Sequence, residues 1–146
     1  MAGLYDDVDV IDASPETIWP FLTEPERHVE WLGTEVEIDP RPGGVYRVLV
    51  GGQHPSAGEY LEVVPQEKVV FTFGWEEKDH PIPAGSTTIE ITLHPEGEKT
   101  RVRLVHRGLP ADAVDDHGEG WAHYLDRLAV TATGGDAGPD SFGSGT

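Results

Sequence analysis

Six strand-like segments follow one another along this chain, at 35–38, 45–50, 58–64, 68–75, 87–93 and 100–106. The turns between them include Arg41-Pro42-Gly43-Gly44, Pro65-Gln66-Glu67 and Pro95-Glu96-Gly97-Glu98, with somewhat longer loops at 51–56 and 76–85. Parallel neighbours need a crossover of about a dozen residues or more, so this succession requires an antiparallel sheet.

A further strand is predicted at 8–11, where valine and isoleucine alternate with aspartate. It stops at Ala13-Ser14-Pro15-Glu16, which reads as a helix start with Ser14 as N-cap and Pro15 in the first turn. Thr23-Glu24-Pro25-Glu26 opens a second short helix, expected to end near Trp31-Leu32-Gly33. Beyond Gly108-Leu109-Pro110 the apolar period returns to 3.6 residues. Val114, Trp121, Leu125 and Leu128 share one helix face, with Asp112 as the expected N-cap and Gly134-Gly135 as the stop. The chain is thus predicted to be α+β, one domain over 1–133, followed by a Gly-, Asp-, Ser- and Pro-containing tail at 134–146 that is expected to be disordered.

Alternation sorts the strands into faces. Val69, Phe71, Phe73 and Trp75 share one side, as do Thr87, Ile89, Ile91 and Leu93, and Val102, Leu104 and His106. The opposite side is mostly polar, so a single helical layer should cover one face. One helix is only about 10 Å across. A sheet of six or seven strands is wider, so either bulky sheet residues fill the remaining hollow or a small molecule does. Apolar pockets with a few polar groups are typical ligand sites.

Composition narrows the partners. Lys and Arg total 10 against 27 Asp and Glu, a formal charge of −17, which excludes the basic patches that nucleic acid and anionic membrane surfaces require. There is no Cys, hence no disulfide or thiol chemistry. The N-terminus has neither a basic start nor an apolar run, and no stretch reaches the roughly 20 apolar residues of a membrane span. A cytoplasmic protein is expected.

Several segments, in this order, carry a resemblance: Ala13-Ser14-Pro15-Glu16-Thr17-Ile18-Trp19, Trp31, Arg41-Pro42-Gly43-Gly44, Gly58-Glu59-Tyr60-Leu61-Glu62-Val63, Val69-Val70-Phe71-Thr72-Phe73, His106-Arg107-Gly108-Leu109 and Gly120-Trp121-Ala122-His123-Tyr124-Leu125. Together they resemble the START-like superfamily. Within it they are most similar to the bacterial branch named after the activator of the ninety-kilodalton heat-shock protein's ATPase. The resemblance implies the helix-grip fold, with a cavity between the sheet and the last helix, and spans about Val8 to Leu128. That superfamily also hosts lipid-transfer proteins, hormone receptors and polyketide cyclases, so fold alone does not choose a function. The eukaryotic activators carry an additional N-terminal chaperone-binding domain. This chain has no room for it, so chaperone contact is not expected.

The residues expected to line the hollow are Trp31, Tyr46, Phe71, Phe73, Trp75, Ile89, Ile91, Leu104, His106, His117, Trp121 and Leu125. Trp31 and Trp75 end their elements beside loops and are expected at its rim. His106 and His117 are the candidates for proton transfer if the chain is an enzyme, since histidine titrates near neutral pH; against this, a histidine bonded to its neighbours is a structural residue. No catalytic set is expected otherwise. No cofactor or metal is expected either: there is no His-Glu-x-x-His and no tight ligand cluster. Gly118 and Gly120 either leave space for a ligand or allow close packing on a strand. The leading expectation is non-enzymatic binding of a small hydrophobic molecule. The rivals are a cyclase- or hydrolase-like enzyme using the same cavity, and an interaction module, chaperone-linked or homodimeric through the outer sheet face.

Overall fold

The computed structural model describes residues 2–50, 54–76 and 82–138. The tips of two predicted loops, at 51–53 and 77–81, and residues 139–146 of the tail predicted at 134–146 lie outside the described residues, whereas 134–138 lie within them. Seven strands form one antiparallel sheet: β1 (Ala2–Ile11), β2 (Glu35–Ile38), β3 (Val45–Val50), β4 (His54–Val64), β5 (Lys68–Phe73), β6 (Thr87–Glu96) and β7 (Lys99–Pro110). Their order is β1-β7-β6-β5-β4-β3-β2, so the first strand closes against the last and the others follow the chain. Three helices complete the fold: α1 (Pro15–Thr23), α2 (Pro25–His28) and the long α3 (Val114–Ala132).

The predicted architecture stands, but several bounds differ: β4 begins at His54, inside the predicted loop at 51–56, β7 runs on to Pro110, and α2 ends at His28 rather than near Trp31-Leu32-Gly33. β1 begins at Ala2 rather than Val8. Its aspartates are poor strand formers, but pairing with β7 through ten residues, with Asp6 gripped by Arg103 at 2.6 Å, overrides that preference. At the start of α3 the N-cap is Ala113, with no side-chain cap, and Asp112 sits instead in a 3-10 turn over Ala111–Ala113. Pro110 fixes the turn that places Asp112 one position too early to cap.

Ser14 does cap α1, its Oγ accepting from the Thr17 amide at 3.2 Å. The break between α1 and α2 has a chemical consequence. Pro25 has no N–H, so the Phe21 carbonyl, which would bond that amide in a continuous helix, is released. Two side chains take its place: His28 Nδ1 at 2.9 Å and Trp31 Nε1 at 2.7 Å both donate to Phe21 O.

The face of the sheet toward α3 carries the core. Tyr46, Val48, Tyr60, Val69, Phe71, Phe73, Ile89, Ile91, Leu93, Val102 and Leu104 are all buried there, against Trp121, Leu125 and Leu128 of α3 and Ile18, Phe21 and Leu22 of α1. The outer face is a lattice of ion pairs: Arg47–Glu76, Lys68–Glu62, Arg101–Glu96, Arg103–Asp6 and Arg107–Glu90. Val105, opposite Asp6 on β1 and Glu90 on β6, is an outer-face residue that is nonetheless buried. No helix among the described residues is long and apolar enough to cross a membrane.

Candidate functional site

The expected lining residues are brought together as one continuous run of aromatic rings. Tyr46 stacks on Phe71 with centroids 4.0 Å apart, and Phe73 meets Tyr46, Trp75, His106 and Trp121 at 5.3–6.5 Å. His117 reaches both Trp75 and His106. Ile89, Ile91, Leu104 and Leu125 fill the flanks of the same cluster. Only Trp75 and His117 of this set are half-buried; the rest are buried.

Trp31 is not at a rim. It is fully buried beneath α1 and α2, its ring 5.0 Å from His28, and it connects to the aromatic run through the His28–Tyr46 contact. Its position at the end of an element misled because the carbonyl freed by Pro25 draws the indole inward.

Hydrogen bonding settles what the histidines do. His106 accepts from Trp121 Nε1 at Nδ1 (3.0 Å) and donates from Nε2 to Thr87 Oγ1 (2.8 Å), whose own proton goes to Phe73 O (2.6 Å). Burial, followed by the neighbouring His117, pushes the His106 pKa down to about 3, so the ring is neutral with both nitrogens engaged. His117 donates from Nδ1 to Ala113 O (3.0 Å) and accepts from Trp75 Nε1 (3.3 Å). His28 donates to Phe21 O and accepts from the Tyr46 hydroxyl (3.2 Å), and burial lowers its pKa to about 4. In each case the acceptor nitrogen takes the polar hydrogen of an aromatic residue. Trp75, Trp121 and Tyr46 therefore spend their donors on histidines and present hydrocarbon faces to everything else. Both His106 nitrogens are thus engaged by protein groups, Nδ1 by Trp121 and Nε2 by Thr87.

Tyr60 is the exception. It is 1% exposed, on the core face of β4 with its ring against Tyr46 and Phe71, and its hydroxyl has no hydrogen-bond partner among the described residues. Burial, and then the Asp39 carboxylate, raise its pKa far above the ordinary tyrosine value, so it is a neutral donor.

Of these groups, His28, Thr87 and Tyr60 were not singled out from the sequence as site residues. Thr87 heads an apolar row, and Tyr60 lies within a quoted motif, but neither pattern reveals where a hydroxyl points. Gly118 is explained by close packing: a Cβ there would lie 2.6 Å from Cε1 of Tyr5 on β1.

A separate groove of about 570 Å³ lies where the end of α3 meets the chain after α2, lined by Val29, Glu30, Thr34, Arg127, Thr131 and Asp136 among others. Arg127 spans it, donating to Trp31 O (3.0 Å), Ala137 O (3.1 Å) and Gly138 O (2.9 Å). Its lining is about equally polar and apolar, unlike the aromatic interior.

A curved antiparallel sheet gripping one long C-terminal helix, with its aromatic residues turned inward, defines a helix-grip protein of the START-like class. Within that class the chain belongs to the family described as Activator of Hsp90 ATPase homolog 1-like protein, which it matches over residues 12–133. It is 40% identical to the AHSA1-like protein RHE_CH02687 from Rhizobium etli, with 97% of this chain and 89% of that one covered and a TM-score of 0.76. Protein CV1439 from Chromobacterium violaceum is 27% identical, with 88% and 96% covered and a TM-score of 0.76. The Aha1 dimer from Colwellia psychrerythraea, 20% identical over 91% of this chain and 98% of that one, shares the fold with a TM-score of 0.78. No match emerges among curated proteins.

Proposed function

We propose that this protein binds a small, largely apolar molecule between its sheet and α3, and that the molecule carries one hydrogen-bond acceptor. The observation behind this reading is the buried Tyr60 hydroxyl, a donor without a partner inside an aromatic interior. Leaving such a group unpaired costs about 1–3 kcal/mol, and native proteins rarely tolerate it without a bound partner. The surrounding rings have committed their polar hydrogens to histidines. A guest beside Tyr60 meets the aromatic faces of Tyr46 and Phe71 and the Tyr60 hydroxyl as donor.

The rings already touch, so binding requires some of them to turn aside. Trp75 and His117 are the half-buried members and form the entrance. The role is binding without chemistry, because His106 and His117 serve as acceptors for tryptophan rather than as proton carriers.

Native mass spectrometry of the freshly purified full chain tests this. A retained apolar molecule is expected, and Tyr60→Phe should lower its occupancy about tenfold, the worth of one hydrogen bond to a buried donor. Tyr60→Phe gaining stability while no molecule is retained by either protein would refute the reading.

A further inference from the structure

The two edges of the sheet are built differently. β2 is four residues long and exposes Glu35 and Glu37, a short charged edge of the kind that resists further pairing. β1 is ten residues long without a proline, and its outer edge carries no backbone pairing among the described residues. Edge strands this long are usually guarded by proline, by a cover or by charged side chains, and the charges on β1 are Asp6, Asp7 and Asp9. The outer face of β1 also exposes Leu4 (54%), Val8 (48%) and Val10 (47%), half of the six large apolar side chains exposed among the described residues.

The other face of the same strand is acidic. Asp7 and Asp9 alternate with the apolar row and share the side of α3. Burial, and then the carboxylates of Asp126 on α3 and of Asp7, hold Asp9's carboxyl above its usual range, which places three negative groups along one rim. Asp6, by contrast, is neutralised by Arg103 on the outer face. A strand added to β1 would therefore meet apolar side chains on one face and unneutralised carboxylates on the other.

From this pattern we infer that β1 is a docking edge for an extended segment of a partner protein, in which lysine or arginine alternates with aliphatic residues. Backbone bonding to the edge supplies affinity, and the alternate side chains supply specificity. Basic residues fall beside Asp7, Asp9 and Asp126, and aliphatic ones beside Leu4, Val8 and Val10. A second copy of this chain is the wrong occupant. Pairing β1 with β1 sets one acidic row against another, between molecules each carrying a formal charge of −17.

The test uses the full chain and a blocked, fluorescent ten-residue peptide of alternating lysine and valine, followed by anisotropy. Saturable binding is expected, with none for the glutamate–valine counterpart. Val8→Ser/Val10→Ser should weaken it about tenfold, and Asp7→Asn/Asp9→Asn should weaken it and flatten its salt dependence. A lysine–valine peptide N-methylated at alternate amides keeps its charge but cannot pair as a strand, and it should not bind. Equal binding of the methylated and unmethylated peptides would reduce the effect to general charge attraction and overturn the proposal. So would failure of the unmethylated peptide to bind, or sedimentation showing a stable dimer whose β1 amides are protected from exchange.

Discussion

Thr87 shows how far the interior is specified atom by atom. Its hydroxyl accepts from His106 and donates to Phe73 O, so Thr87→Val would leave two buried polar groups without partners while keeping the shape. A loss of about 1–3 kcal/mol is expected in urea denaturation, with Thr87→Ser recovering most of it. Alternation put Thr87 on the apolar face from the sequence, yet a β-branched residue there reads equally well as packing. His28 was less legible still. Its importance rests on a carbonyl released by a proline four positions after Phe21, and no periodicity encodes that.

At the scale of elements, the six consecutive strands and the long helix were legible because alternation and turn chemistry agree with the pairing finally made. β1 was legible only in its valine-rich half, since Asp6 and Asp7 interrupt the apolar alternation and gain their place through β7. The crossing of α3 over β1 offers a sharper test. Gly→Ala within a helix normally gains about 1 kcal/mol. At Gly118 the new methyl would meet the ring of Tyr5, whose hydroxyl is tied to Asp7 at 2.7 Å. Gly118→Ala should therefore lower the melting temperature, and Gly118→Ala combined with Tyr5→Ala should be more stable than Tyr5→Ala alone. If Gly118→Ala is stabilising by itself, the close approach is not a constraint.

For the whole molecule, the two fully buried histidines govern the response to acid. Both have folded pKa values lowered by burial, to about 4 for His28 and about 3 for His106, against roughly 6.5 in an unfolded chain. Between these limits the unfolded state binds protons that the folded state refuses, so stability is full above about pH 6.5 and falls as the pH drops toward 4 and then 3. Urea midpoints measured from pH 7.5 to 5 should decline, and His106→Gln should make that decline shallower while lowering stability at every pH. A flat profile over this window would mean that neither ring is held neutral by its surroundings.

Arg127 carries a different lesson. Three of its partners are main-chain oxygens on either side of the groove, at Trp31, Ala137 and Gly138. Every residue type owns such an oxygen, so the contact at Ala137 makes no demand on its side chain, whereas Trp31 is fixed by its own buried indole. The arginine itself has no such freedom, because a single ammonium cannot reach both banks at once. Selection should thus weigh on Arg127 more heavily than on Ala137.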